Sequence, residues 1–384
     1  MYQQVKLDEL CVHKIETISS DENGLIDYFD IASVDNTKKK IISHQSLKIE
    51  EAPSRAKQIV QLNDILVSTV RPNLNAVTII DNETKNKMVA STGFCVLRAS
   101  EKIEPRYLFY FVQSPTFINS MTAQATGASY PAVSNSIVKS SHIPLPDLPT
   151  QRRIADTLDK VSEGIEVCRR MLGELDLMVK AKFVEMFGEP IANTHSLPLI
   201  PLSEIGNWSS GGTPSRSTPA YFEGNIDWYS AGELNTLYLE GSIEKITQDA
   251  LENSAAKLFS AGSMLVGMYD TAALKMGILK RSSASNQACA CIEPNDNIDI
   301  VWLYHVLQIM KPHFLEQRRG IRQKNLNLGM IKSFQVPYAP KSEQKLFASF
   351  VTKIDKSKLT VQRIRDKMEM EKLALMQEYF GREV

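Results

Sequence analysis

The sequence predicts a mixed α/β (α+β) fold in which one unit, a globular domain followed by a long helix, is used twice. Three observations predict it. A set of residues in the middle of the chain recurs in the same order near its end. A proline-punctuated exit precedes each copy, and an uninterrupted heptad pattern follows the first.

The recurrence runs without a gap. Gln151, Ala155, Glu185, Phe187 and Gly188 return as Gln344, Ala348, Glu378, Phe380 and Gly381, at an offset of 193. The same offset relates Gly127 to Gly320, Lys139-Ser140 to Lys332-Ser333 and Pro144 to Pro337. Towards the N-terminus it drifts in one direction. It is 195 for Leu108 and Leu303 or Gln113 and Gln308, 199 for Leu66-Val67 and Leu265-Val266, and 200 for Gly24–Phe29 and Gly224–Tyr229. An internal pseudo-two-fold repeat with small loop changes behaves this way. Its period lies far above the ~20–50 residues of solenoids, so the unit is a whole domain plus a helix.

Taken in order, residues 1–149 form the first domain. Its apolar runs Ile65–Val70 and Val77–Ile80 read as strands and Arg106–Gln113 as a helix. Pro144, Pro146 and Pro149 end it, because proline cannot extend a ladder and turns its predecessor away from helix. A central helix spans 150–188, with Thr150 as its cap. Ile154, Leu158, Val161, Ile165, Cys168, Leu172, Leu175 and Val179 step by four and three along it, a seam for a partner helix. At ~1.5 Å per residue it makes a rod of about 50 Å. Residues 189–198 are a linker. The second domain, 199–340, repeats the pattern with Met264–Val266 and Val301–Met310 and exits through Pro337 and Pro340.

The distal helix, 341–384, carries Ser342 as its cap. It keeps one seam line, Ile354, Val361, Met368 and Leu375, while Lys358, Arg365 and Lys372 occupy the other. A narrow seam wants a helix of similar length, and the chain supplies one, so the two pair intramolecularly. The basic line then faces Glu163, Glu166, Glu174 or Asp176. Gly188 and Gly381 are expected as left-handed C-caps.

Composition excludes several classes. With 384 residues, 43% hydrophobic and 23% charged, the chain is neither disordered nor a small disulfide scaffold. Forty-four basic residues against 44 acidic ones exclude an indiscriminate polyanion binder. The start lacks the pattern of a secretory signal, and no apolar run reaches the ~18 residues of a membrane span. Five cysteines without a CxxC pair read as reduced, buried thiols of a cytoplasmic protein. The six histidines are scattered and mark no metal site.

Charge is distributed unevenly. Residues 105–146 contain no acid, nor do residues 317–342, where Arg318, Arg319, Arg322, Lys324, Lys332 and Lys341 are all basic. Phosphate is drawn to such segments. Around them lie side chains that pair with base edges or phosphates: Arg71, Asn73, Asn75, Ser129, Tyr130, Thr213, Ser215, Arg216, Tyr269, Lys275, Arg318, Arg319, Arg322, Gln323 and Lys324. The motifs of catalysis are missing. There is no GxxxxGK[ST], GxGxxG, HExxH or GxSxG, and no Asn-Pro-Pro or Asp-Pro-Pro tripeptide of an amino-methyltransferase. Together these absences favour a binding protein over an enzyme. A two-domain scaffold for protein partners other than DNA is the alternative.

The chain resembles the specificity subunits of type I restriction–modification systems. Gly211-Gly212-Thr213-Pro214-Ser215, then Tyr221-Phe222-Glu223-Gly224-Asn225-Ile226-Asp227-Trp228 and Ser285-Asn286-Gln287-Ala288, carry the resemblance with the proline exits and the glutamine-led helices. It implies two target-recognition domains, each reading half of an asymmetric bipartite site in double-stranded DNA. It implies an antiparallel coiled coil of the two conserved helices, which sets the spacing and docks two methyltransferase subunits. S-adenosylmethionine serves those partners and no cofactor binds this chain. Motor–nuclease subunits add restriction, and the specificity subunit catalyses nothing. The first domain departs from the pattern, with Ser33–Lys40 where a different loop belongs and no Gly-Thr-Pro-Ser.

Overall fold

The computed structural model describes residues 2–19, 23–317 and 325–381. It divides into two compact units, Met1–Arg169 with Gln362–Val384, and Arg170–Val361. The boundary falls inside both long helices. Each unit therefore holds one domain, the start of one helix and the end of the other.

In the first unit a four-stranded sheet runs in the order Gln45–Lys48, Leu25–Phe29, Lys87–Ser91, Ala56–Ile59. Its central pair is parallel and both outer pairs are antiparallel. A three-stranded antiparallel sheet follows, Phe94–Leu97, Ile65–Ser68, Val77–Ile79. All four residues of Ile65–Ser68 are buried, as its continuous apolar run requires. Helices Pro105–Phe111 and Pro115–Gln124 pack on this sheet through Tyr107, Leu108, Phe111 and Phe117. Strand Gln3–Lys6 pairs with His142–Leu145, bringing the domain's two ends together.

The second unit repeats this frame. Glu244–Ile246, Ile226–Tyr229, Ser283–Ser285 and Leu258–Phe259 form the four-stranded sheet, again with a parallel central pair. Cys289–Pro294, Met264–Gly267 and Met276–Leu279 match the three-stranded one, extended by Gly206–Ser210 and Tyr238–Leu239. Register confirms the offsets read from sequence. Phe29 lies opposite Ala90 as Tyr229 lies opposite Ser285, and Val67 opposite Cys95 as Val266 opposite Ala290. The helix Ile300–Glu316 corresponds to the first unit's two helices, and Leu199–Pro201 closes against Gln335–Pro337.

The long helices span Leu148–Phe187 and Lys341–Phe380. Both begin just before the residues expected to cap them. Asp147 accepts from the Thr150 amide at 2.9 Å, so an acid one turn earlier does the capping and Thr150 lies within the first turn, as Ser342 does. Gly188 is left-handed at φ +76° and turns the chain into a segment where Thr194 Oγ1 accepts from the Glu189 amide. Gly381 is not left-handed, although its amide donates to the Gln377 carbonyl at 2.9 Å.

The repeated glutamine has a physical explanation. Gln151 is buried; its Oε1 accepts from the Glu104 amide at 2.9 Å, and its Nε2 donates to the Pro146 and Lys102 carbonyls. Gln344 accepts from the Asp299 amide at 2.7 Å and donates to the Ala339 and Asn297 carbonyls. One side chain thus ties helix start, domain exit and the loop before a domain helix, at equivalent atoms in both units.

Inside each unit the two helix segments run antiparallel. In the first unit Met376 and Phe380 join the core containing Ile154 and Leu158, and Arg169 donates to Glu369 at 3.0 Å. Gly164 faces Met368 so closely that a Cβ there would meet its Cε at 2.6 Å. In the second unit Lys358 pairs with Asp176 at 2.5 Å, and Phe183 and Phe187 pack edge-on against Phe347. Ile154, Leu158, Ile165, Cys168, Val179, Ile354 and Val361 are buried, while Val161, Leu172, Leu175, Met368 and Leu375 are half-buried. Lys358, Arg365 and Lys372 are half-buried too, their stems filling seam positions while their heads reach acids or rings.

Candidate nucleic-acid interface

In the first unit the candidates gather on two loops at one end of the three-stranded sheet. The turn joining Ile65–Ser68 to Val77–Ile79 carries Arg71 and Asn75, both left-handed, at φ +50° and +46°. Outside glycine that conformation costs about 1 kcal/mol or more and persists only where neighbours enforce it. The neighbour here is the loop 126–132, closed by reciprocal bonds between Thr126 and Ala132. The Arg71 amide donates to the Pro131 carbonyl at 2.7 Å and the Val133 amide to the Thr69 carbonyl at 2.9 Å. This brings the Arg71 guanidinium over the Tyr130 ring, 4.8 Å from its centroid. Arg71, Asn73, Ser129 and Tyr130 are exposed, Tyr130 by 69%. An exposed guanidinium placed over a ring keeps donors available to guanine or phosphate.

Asn75 belongs elsewhere. It is buried, its amide donates to the Val112 carbonyl at 2.8 Å, and its Oδ1 accepts from Lys39 at 2.9 Å. Both ends of its side-chain amide bond to the protein, so it shapes the loop.

The acid-free stretch 105–146 is less basic in space than in sequence. Arg106 turns to the central helix, 2.8 Å from Asp156 and 2.5 Å from Asp159, and also meets Glu104. Lys139 donates to the His13 carbonyl. Of the segment's two cations, Arg106 is therefore neutralised by acids, while Lys139 keeps its charge beside a carbonyl.

In the second unit three loops meet. The Gly211 amide donates to the Cys289 carbonyl, the Gly212 amide to Ser285, and the Trp228 indole to the Gly212 carbonyl. Side chains are excluded at both glycines: a Cβ would lie 2.3 Å from the Ser285 carbonyl oxygen or 2.0 Å from that of Ala255. Thr213 bonds Gln287. The Met268 amide donates to the Ala288 carbonyl, which brings in the turn 268–275 with exposed Tyr269 and half-buried Lys275. That turn shares its backbone with the first unit's: Asp270 and Leu274 are left-handed at φ +47° and +53°. Ser215 lies 2.7 Å from Ser217. Arg216 is bidentate to Glu244, at 2.5 and 2.8 Å, and covers the Phe222 ring, so its guanidinium is already engaged.

Arg318, Arg319, Arg322, Gln323 and Lys324 lie outside the described residues. Lys39, Gln287 and Glu244 were not singled out as candidates from the sequence. Lys39 and Glu244 act across 36 and 28 residues, beyond any local spacing. All five cysteines are free and buried, and burial pushes the Cys11, Cys95 and Cys289 thiols up to about 12. Among the described residues no group of three His, Cys, Asp or Glu is placed to hold a metal, and no helix is long and apolar enough to cross a membrane.

The family model for the type I restriction modification DNA specificity domain matches residues 1–175 and again 199–370. The chain belongs to that family. Its two matches coincide with the two copies of the repeat. A similar protein is the specificity subunit of the Escherichia coli type I restriction enzyme EcoR124I/EcoR124II, 26% identical over 160 residues, 40% of each chain. Another is the HindI specificity subunit of Haemophilus influenzae, 27% identical over 156 residues, 40% of this chain and 34% of that one. These alignments span two fifths or less of the relatives' length. In fold the chain is similar to a type I R-M system component solved to explain complex assembly and conformational transition. The TM-score is 0.61 at 23% identity, with 99% and 98% of the chains covered. It is likewise similar to the S subunit of the M. genitalium type I system, TM-score 0.61 at 15% identity, with 100% and 97% covered.

Proposed function

We propose that this chain is the DNA-reading subunit of a type I restriction–modification complex. Each unit reads one half of an asymmetric bipartite site in double-stranded DNA through the loops at its sheet end. The helix pair sets the spacing between halves and docks two methyltransferase subunits, and motor–nuclease subunits join that assembly. The chain itself performs no chemistry and acts in the cytoplasm. S-adenosylmethionine is the cofactor of its methyltransferase partners. The observation that carries this reading is the double family match, one per copy of the repeat. The divergence of the loops supports it: on a shared backbone turn, one unit presents Arg71 and the other Tyr269 and Asp270, as two readers of different sequences require.

Mapping methylated bases in the genome of a host with and without the gene, its methyltransferase partner present in both, tests the proposal. The expected result is an adenine-methylation motif of two short halves around an unspecified spacer, lost with the gene. An unchanged methylation map contradicts it.

A further inference from the structure

The turn 71–75 is clamped from beneath. Lys39 projects from the turn 35–39, itself left-handed at φ +56°, and its ammonium donates to both the Asn75 carbonyl, at 2.5 Å, and Asn75 Oδ1, at 2.9 Å. Asn75 passes the restraint on, its amide donating to the Val112 carbonyl at the end of helix Pro105–Phe111. A loop, a turn 36 residues away and a core helix are thereby joined through one amide side chain.

The second unit holds its equivalent turn by other means. Leu274 occupies the place of Asn75, with the same left-handed backbone, and is 1% exposed in the main apolar core, with Leu237 and Tyr238 packed against that core. There burial does what hydrogen bonds do in the first unit. The polar clamp is thus a feature of the first unit and the apolar one of the second.

The polar clamp has an electrostatic cost. Burial pushes the Lys39 amine down to about 8 and the Lys372 ammonium of the distal helix adds to this, while Asp35 opposes it. Asp35 is itself shared with Lys38, at 3.9 Å, and lies in the field of Arg169. A half-buried cation in the field of another cation lowers stability. What it gains is a strained loop held at both ends, Arg71 by the Pro131 carbonyl and Asn75 by Lys39.

We propose that Lys39 is a positioning residue for DNA readout by the first unit, acting through Asn75 to fix the Arg71–Tyr130 pair. This deepens the proposed function and rests on it. It assigns Lys39 no contact with DNA.

The test uses the full chain in complex with its methyltransferase partner, scoring methylation of target duplexes that carry single-base changes in either half-site. Lys39→Met should reduce discrimination at the first unit's half-site tenfold or more and leave the second unit's unchanged. Its thermal midpoint should change little, because relief of a half-buried cation offsets the loss of the two hydrogen bonds that it donates to Asn75. That combination separates positioning from structural support, which would lower the midpoint and both half-sites together. Lys39→Arg, which keeps the donors, should restore most of the discrimination. Asn75→Gly, which keeps the backbone conformation and the Lys39 bond to the residue-75 carbonyl but loses the side-chain link to Lys39 and Val112, should reproduce most of the Lys39→Met loss. Wild-type discrimination in Lys39→Met and Asn75→Gly, or a parallel loss at both half-sites, overturns the inference. A parent complex that marks no bipartite sequence overturns the function it rests on.

Discussion

In the first unit Asp27 is buried in the central sheet, accepting from Ser46 at 2.6 Å and from both the amide and side chain of Asn86. Burial opposes its ionisation, but these bonds and one from Thr84 outweigh it and hold the carboxyl well below the usual range. Asp227 occupies the same place in the second unit, where Arg281 stands for Asn86 and meets the carboxylate at 2.5 Å. Short turns follow each strand. Asp30 and Ser33 cap one reciprocally, and Ser230 and Glu233 secure the other, the Ser230 amide donating to Glu233 at 2.8 Å. The frame survives such exchanges because each replacement still satisfies the same buried group. The loops obey no such rule. A single bridge, Cys11 to Ala99, stands where the second unit builds the strand Gly206–Ser210 and the double-glycine loop beyond it. The comparison teaches where the repeat is constrained by burial and where it is free to diverge.

The largest expected effect probes how the units share the long helices. Phe380 packs on Tyr107 and Phe111, and Phe187 on Trp302 and Phe347. Phe380→Ala should destabilise the first unit by about 3–5 kcal/mol, although its helix starts from the second domain; Phe187→Ala should do the same to the second. Amide exchange resolves the two: Phe380→Ala should lose protection across residues 105–124 and Phe187→Ala across 300–316. Reversed or shared losses would break the assignment of helix ends to units.

A smaller effect sharpens the equivalence of the glutamines. Gln151→Ala and Gln344→Ala each strand a partly buried amide and a buried carbonyl, at a cost of about 1–3 kcal/mol. Chemical denaturation should show similar losses for the two. A loss in one unit only would mean that the repeat of these residues is not a repeat of their role.

Much of the frame was legible because burial forces identity. Gln151 and Gln344 stand out in the sequence since each carboxamide, at glutamine's reach, accepts from one backbone amide and donates to two carbonyls. The seam was legible for the same reason. The interface was only half legible. Arg71 and Tyr130 lie 59 residues apart, and both were visible as exposed-type side chains beside an acid-free stretch. Asn75 looked like their equal, but tertiary partners claimed it, which no local spacing reveals. Arg216 followed a recognisable loop, yet Glu244 and Phe222 hold it.

The central claim is that one frame carries two independent readers. The most direct measurement is the methylation motif of a chain whose residues 199–340 are replaced by those of another family member, expressed with the same methyltransferase partner. One half of the motif should change to that of the donor, with the other half and the spacer length preserved. A motif unchanged in both halves, or altered in both, would contradict it.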